Sequence, residues 1–120
     1  MLIDTHTHIY LDKFKDDIDE VIQRCRDIGI QKLYMPNIDL DSIKDVKNLA
    51  ETYPGYCLPM MGLHPCSVNA NYKEILDGIK AELYNTEYLA VGEIGVDLYW
   101  DKTTQVYHCL LYTSPSPRDA

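Results

Sequence analysis

The sequence is short of basic residues. Eleven lysines and arginines stand against 19 aspartates and glutamates, a formal net charge of −8. That excludes general adhesion to nucleic acid or to an anionic membrane through a basic surface. It leaves nucleic-acid chemistry open at a metal site, because a bound ion adds positive charge that the side chains do not carry. No apolar run reaches the length needed to span a bilayer. The opening residues Met1 to His6 have neither the basic nor the apolar stretch of a secretory signal. None of the four cysteines (Cys25, Cys57, Cys66, Cys109) forms a C-x-x-C pair. They are read as reduced thiols of a cytoplasmic protein. A Walker A sequence, a dinucleotide fingerprint and a G-x-S-x-G element are all missing, so neither a nucleotide-binding loop nor a serine hydrolase is indicated.

What is present is an ordinary globular composition, 46% apolar and 25% charged over 120 residues. That suits one small domain, although a closed α/β barrel needs about 250 residues. The spacing predicts a strand over 2–5 and then a helix capped by Asp16 or Asp17, with Glu20 as its capping-box acid. The helix carries an apolar stripe of Ile18, Val21, Ile22, Cys25 and Ile28, and Gly29 follows its end. Further strands are expected over 30–35, 56–61 and 87–91. Helices are expected over about 41–53 and around Ile75, Leu76, Ile79 and Leu83. Strands alternating with helices imply βαβ units and a parallel sheet. Residues 104–120 lose the pattern, and their two Ser-Pro steps oppose helix, so a disordered tail is expected there.

Residues able to do chemistry stand just after each predicted strand: His6, Asn37, His64 and Glu93, at spacings of 31, 27 and 29. In a parallel sheet these positions fall on one edge, where βα barrels and open α/β sheets build their sites. His6 and His8 alternate along an extended segment and project to one side, able to share a divalent ion, or else stand as two loop histidines. Asp4 has the same parity and can orient one imidazole. Glu93, between Gly92 and Gly95, is either a metal-bridging carboxylate or a loop acid capping the next helix. His64 suits a ligand, a general acid, a donor to a phosphate oxygen, or a buried histidine on a carbonyl. Asn37 suits a turn or a substrate contact. Tyr99 and Trp100 suit base stacking or packing.

Three segments resemble the TatD family of metal-dependent hydrolases: Ile3-Asp4-Thr5-His6-Thr7-His8, Gly62-Leu63-His64-Pro65, and Val91-Gly92-Glu93-Ile94-Gly95-Val96-Asp97. The likeness runs from Met1 to about Lys102. It implies that residues 1–103 are the N-terminal half of a TIM-type (β/α)8 barrel, about four βα units, with a non-matching tail over 104–120. It implies two divalent ions (Mg, Mn or Zn), with His6 and His8 on one ion and Glu93 bridging both. His64 would contact the substrate phosphate. The implied activity is hydrolysis of phosphodiester bonds in DNA by two-metal catalysis, with no membrane partner. The family completes its site with two histidines and an aspartate in its second half. None of these is assigned here, so the base is unidentified and inactivity of the 120-residue chain is expected. Where the family often carries a second histidine after the Gly-x-His-Pro turn, this chain has Cys66. The alternatives are an amidohydrolase-type activity on a small molecule, and a non-catalytic fragment. The sequence assigns no oligomeric state.

Overall fold

In a computed structural model of the chain, residues 1–95 are described. The expected disordered tail lies outside them, with Asp97, Tyr99, Trp100, His108 and Cys109. The elements run β1 (Leu2–Asp4), α1 (Ile18–Asp27), β2 (Ile30–Met35), α2 (Ile43–Thr52), β3 (Cys57–Met61), α3 (Tyr72–Asn85) and β4 (Ala90–Val91). The four strands form one parallel sheet in the order β1-β2-β3-β4. This is the expected α/β half-barrel, with sequence order kept across the sheet.

The core lies between the sheet and the helices, because each helix buries only one stripe. Ile22 of α1, Val46 of α2 and Ile79 of α3 are buried against a sheet that contributes Leu33, Met35, Cys57 and Met61. Side chains of this size contribute about 1.5–3 kcal/mol each on full burial. Leu33 and Met35 are buried two residues apart while their neighbour Tyr34 is not, as a central strand requires. The two edge strands differ. Leu2 and Val91 are about half exposed, since β1 and β4 each pair on one side only.

Two local expectations are corrected. Asp17 precedes α1 but makes no side-chain capping bond, because a 3-10 turn over Asp12–Asp17 runs straight into the helix. Ile28, placed on the apolar stripe, is 68% exposed because it stands past the last helical turn. Gly29 does end α1: its φ of +90° is the left-handed region that glycine adopts freely, and its N–H donates to the Arg26 carbonyl at 3.0 Å.

Candidate metal centre

Every strand delivers its functional residue to the same edge of the sheet. His6 and His8 follow β1, Asn37 follows β2, His64 follows β3 and Glu93 follows β4. Strands in a sheet lie about 4.8 Å apart, so β1 and β4 are separated by roughly 14 Å. Glu93 nevertheless reaches the histidines of the first strand. Its Oε2 lies 3.4 Å from His6 Nε2 and 3.5 Å from His8 Nε2, and the two Nε2 atoms are 3.2 Å apart.

The crossing is built from backbone. After Val91 the chain leaves β4 and lies over Gly62 at the end of β3. The Gly92 N–H donates to the Met61 carbonyl at 2.9 Å. One strand further on, Asn37 N–H donates to the Gly92 carbonyl and Glu93 N–H donates to the Asn37 carbonyl, at 3.2 and 3.1 Å. The Gly92–Glu93 peptide bond is cis. Gly62 is the residue that permits this overlap. A Cβ there would stand 2.6 Å from the Glu93 carbonyl oxygen and from the Gly92 carbonyl carbon. On the other side, Thr7 N–H donates to the Tyr34 carbonyl at 3.0 Å and pins the histidine loop to β2.

Asn37 is completely buried and its side chain is fully used. Its Nδ2 donates to the Asp39 and Gly62 carbonyls, and its Oδ1 accepts from the Ser42 hydroxyl. Two carbonyls fix which end of the amide is nitrogen. Asn37 therefore ties together the ends of β2, β3 and β4 and offers no atom to a substrate.

Glu93 Oε2 is buried and has no hydrogen-bond partner among the described residues. An unpartnered buried carboxylate oxygen is costly, which suits a site meant to hold a cation. The donor set is right for one: two imidazoles and a carboxylate, all ligand atoms within 4.8 Å of one another. Bonds of about 2.1 Å to one ion set neighbouring donors roughly 3.0–3.5 Å apart in octahedral or tetrahedral geometry, and all three separations fall in that range. Burial pushes the His8 imidazole below the ordinary histidine value; Glu93 opposes this, His6 and His64 act with the burial, and the Pro36 backbone opposes it more weakly. His8 is thus held neutral, the form that ligates a metal.

His64 belongs to the same cluster but plays a different part. Its Nε2 is 3.3 Å from Glu93 Oε1, the oxygen that faces away from the histidine pair. Its Nδ1 accepts from the Cys66 backbone N–H at 3.0 Å, so in the neutral ring the proton sits on Nε2. His64 therefore presents an N–H donor at the site. Asp4, expected to orient an imidazole, instead accepts from the His6 backbone N–H at 3.0 Å. That bond shapes the turn out of β1. The residue that contacts an imidazole is Tyr10, which the sequence reading did not single out. It is 4% exposed, and its hydroxyl lies 2.8 Å from His8 Nδ1. Its trace in the sequence was parity, since Asp4, His6, His8 and Tyr10 fall on alternate positions. Cys66 is exposed and outside the ligand group.

Comparison with known proteins finds relatives of the chain. The chain is 29% identical to the Uncharacterized metal-dependent hydrolase YabD of Bacillus subtilis, covering 86% of this chain and 40% of that protein. It is 33% identical to the Uncharacterized metal-dependent hydrolase YjjV of Escherichia coli, covering 82% of this chain and 39% of the other. It is 27% identical to the 3'-5' ssDNA/RNA exonuclease TatD of Pantoea sp., covering 80% of this chain and 37% of that one. The crystal structure of YjjV, a TatD homologue, superposes with a TM-score of 0.75 at 30% identity, over 92% of this chain and 43% of YjjV. The chain thus spans about 40% of the length of the relatives it matches. The sequence model of the family described as TatD related DNase matches residues 3–111, and the chain belongs to that family.

Proposed function

We propose that this chain contributes the first part of a metal-dependent hydrolase site that cleaves phosphodiester bonds in DNA. One observation carries the reading: His6 Nε2, His8 Nε2 and the buried, unpartnered Glu93 Oε2 converge at 3.2–3.5 Å. The names borne by the relatives, metal-dependent hydrolase and 3'-5' ssDNA/RNA exonuclease, support it. His6 and His8 would hold one divalent ion (Mg, Mn or Zn). Glu93 would share its two oxygens between that ion and a second. When bound, such ions activate water and neutralise charge on the phosphate and leaving oxygen. His64, with its proton on Nε2, would donate to a phosphate oxygen beside Glu93. The net charge of −8 favours a single-stranded end gripped at the site over a duplex held in a basic groove.

The test begins with isothermal titration of Mn²⁺ and Zn²⁺ into the chain and into His6→Ala, Glu93→Gln and His108→Ala. The first two should weaken binding at least tenfold, and the last should not. Release of nucleotides from single-stranded DNA is then measured, on the chain and on a form extended by the second half of YjjV. The chain alone should release none, and the extended form should show turnover that stops with chelator and with Glu93→Gln. Equal losses from all three variants would refute the ligand assignment. Hydrolysis of small esters or amides with DNA untouched would refute the substrate.

A further inference from the structure

We propose that Tyr10 is a positioning residue for this centre: its hydroxyl holds His8 in the tautomer that directs a bare Nε2 at His6 and Glu93. The inference rests on the metal-site reading above and deepens it. Two contacts of the Tyr10 hydroxyl decide where its proton lies, with the Ser42 side chain as a further neighbour. On one side is the Pro36 carbonyl oxygen at 2.6 Å, and on the other is His8 Nδ1 at 2.8 Å.

A carbonyl oxygen only accepts, and a phenol has a single proton. That proton therefore goes to Pro36, and the phenolic oxygen is left to accept. His8 Nδ1 can make its contact only by donating, so the ring carries its proton on Nδ1. A neutral imidazole has one N–H, which leaves Nε2 with its lone pair exposed. That lone pair lies 3.2 Å from His6 Nε2 and 3.5 Å from Glu93 Oε2. Fixing the tautomer through the far nitrogen is how a neighbouring group prepares a histidine for a metal.

Tyr10 itself is well placed to be rigid. The ring is buried in the main core with Ile9, Ile22 and Val46, and Pro36 is fixed between β2 and the buried Asn37. His64 provides the contrast within the same cluster. Its Nδ1 is an acceptor, so its proton lies on Nε2. Of the three histidines that face Glu93, His8 and His64 thus take opposite tautomers, one shaped to ligate and one to donate.

The experiment uses the full 120-residue chain, ¹⁵N-labelled and metal-free, at a pH where the histidines are neutral. Long-range ¹H–¹⁵N spectra should show a protonated Nδ1 for His8 and a protonated Nε2 for His64. In Tyr10→Phe the His8 pattern should move toward the other tautomer or an average, while His64 keeps its own. Affinity for Zn²⁺ should fall roughly 10–100-fold, the loss usual for such supporting contacts. A purely structural Tyr10 would lower the melting temperature and leave both the His8 nitrogens and the affinity unchanged, and that result would overturn the proposal. Should Tyr10→Phe fail to fold, the wild-type spectrum decides: a proton on His8 Nε2 overturns the proposal. Should the wild type bind no metal, the functional reading fails, and the His8 spectra still decide whether Tyr10 sets the tautomer.

Discussion

Replacing Gly62 by alanine tests whether the site depends on one backbone crossing. The added Cβ would stand 2.6 Å from the Glu93 carbonyl oxygen, 2.6 Å from the Gly92 carbonyl carbon and 2.7 Å from the Glu93 nitrogen. All three are backbone atoms, so no flexible side chain can give way. Ordinary contacts lie near 3.5 Å, so the 92–93 segment must retreat by about 0.9 Å. Three hydrogen bonds of 2.9–3.2 Å hold that segment to Met61 and Asn37. A retreat of this size takes them to about 4 Å, out of range. Overpacking costs about 1–3 kcal/mol, and each lost bond about 1 kcal/mol, with partial relaxation. The expected net destabilisation is about 2–4 kcal/mol, or roughly 8–16 °C in Tm for a domain of this size. Because Glu93 moves with its backbone, Zn²⁺ affinity should also fall at least tenfold. Gly29→Ala serves as the control. Its φ is +90° and nothing lies within 4 Å, so strain of about 1 kcal/mol lowers Tm with no effect on metal. Thermal melts and titration calorimetry on both variants decide. A Gly62→Ala protein that melts within 2 °C of wild type and keeps its metal affinity would refute the reasoning.

Three further outcomes are expected. Asn37→Ala should destabilise the chain by about 2–4 kcal/mol in urea unfolding, because the buried Gly62 carbonyl and the Ser42 hydroxyl lose a partner beside a new cavity. Among the three thiols of the described residues, labelling of the native chain should proceed fastest at the exposed Cys66, more slowly at the half-buried Cys25 and slowest at Cys57, whose thiol burial pushes up to about 12. Glu82 lies below the ordinary carboxylate value because the Lys47 ammonium and the Tyr88 hydroxyl hydrogen-bond to it. A depressed folded value means the unfolded chain binds more protons, so this stabilisation is complete above 4.5 and is lost as pH falls through the folded value. Melting temperatures taken from pH 6 to pH 3 should fall less steeply in Glu82→Gln than in wild type.

The fold was legible where one period dominates. β2 occupies residues 30–35 as expected, because the segment is bounded by Gly29 and by Pro36-Asn37. The helices were legible for the same reason, as each has one buried stripe. Element ends were less so. The fourth strand was expected from Glu87 but pairs regularly only at Ala90 and Val91. The Leu89 N–H already donates to the Pro59 carbonyl, so the chain approaches β3 before it joins the ladder. A strand with a single neighbour has little to define its start. The missing Asp17 cap has a similar origin, since a preceding turn removes the need for one and no residue type announces such a turn.

The site was legible to the extent that topology decides it. Placing His6, Asn37, His64 and Glu93 at strand ends requires only that the strands be parallel, and alternating periodicity shows that much. What joins these residues is tertiary and leaves little local trace. In the sequence the glycines that stand out beside the site are Gly92 and Gly95, on either side of Glu93. The contact that matters is instead at Gly62, one strand away, where the absence of a side chain lets a neighbouring backbone pass. The asparagine beneath that backbone was weighed as a substrate contact, yet burial turns its side-chain amide inward onto Asp39, Gly62 and Ser42 while its backbone holds the end of β4. A polar residue at a strand end can serve the ligand or the strands, and the sequence does not distinguish the two. The distinction lies in whether the side chain's polar atoms find protein partners of their own. Those of Asn37 do, in the Asp39 and Gly62 carbonyls and the Ser42 hydroxyl, and Glu93 Oε2 finds none among the described residues. By that criterion the unsatisfied oxygen is the one we assign to the proposed metal site, and the satisfied amide belongs to the frame that holds it there.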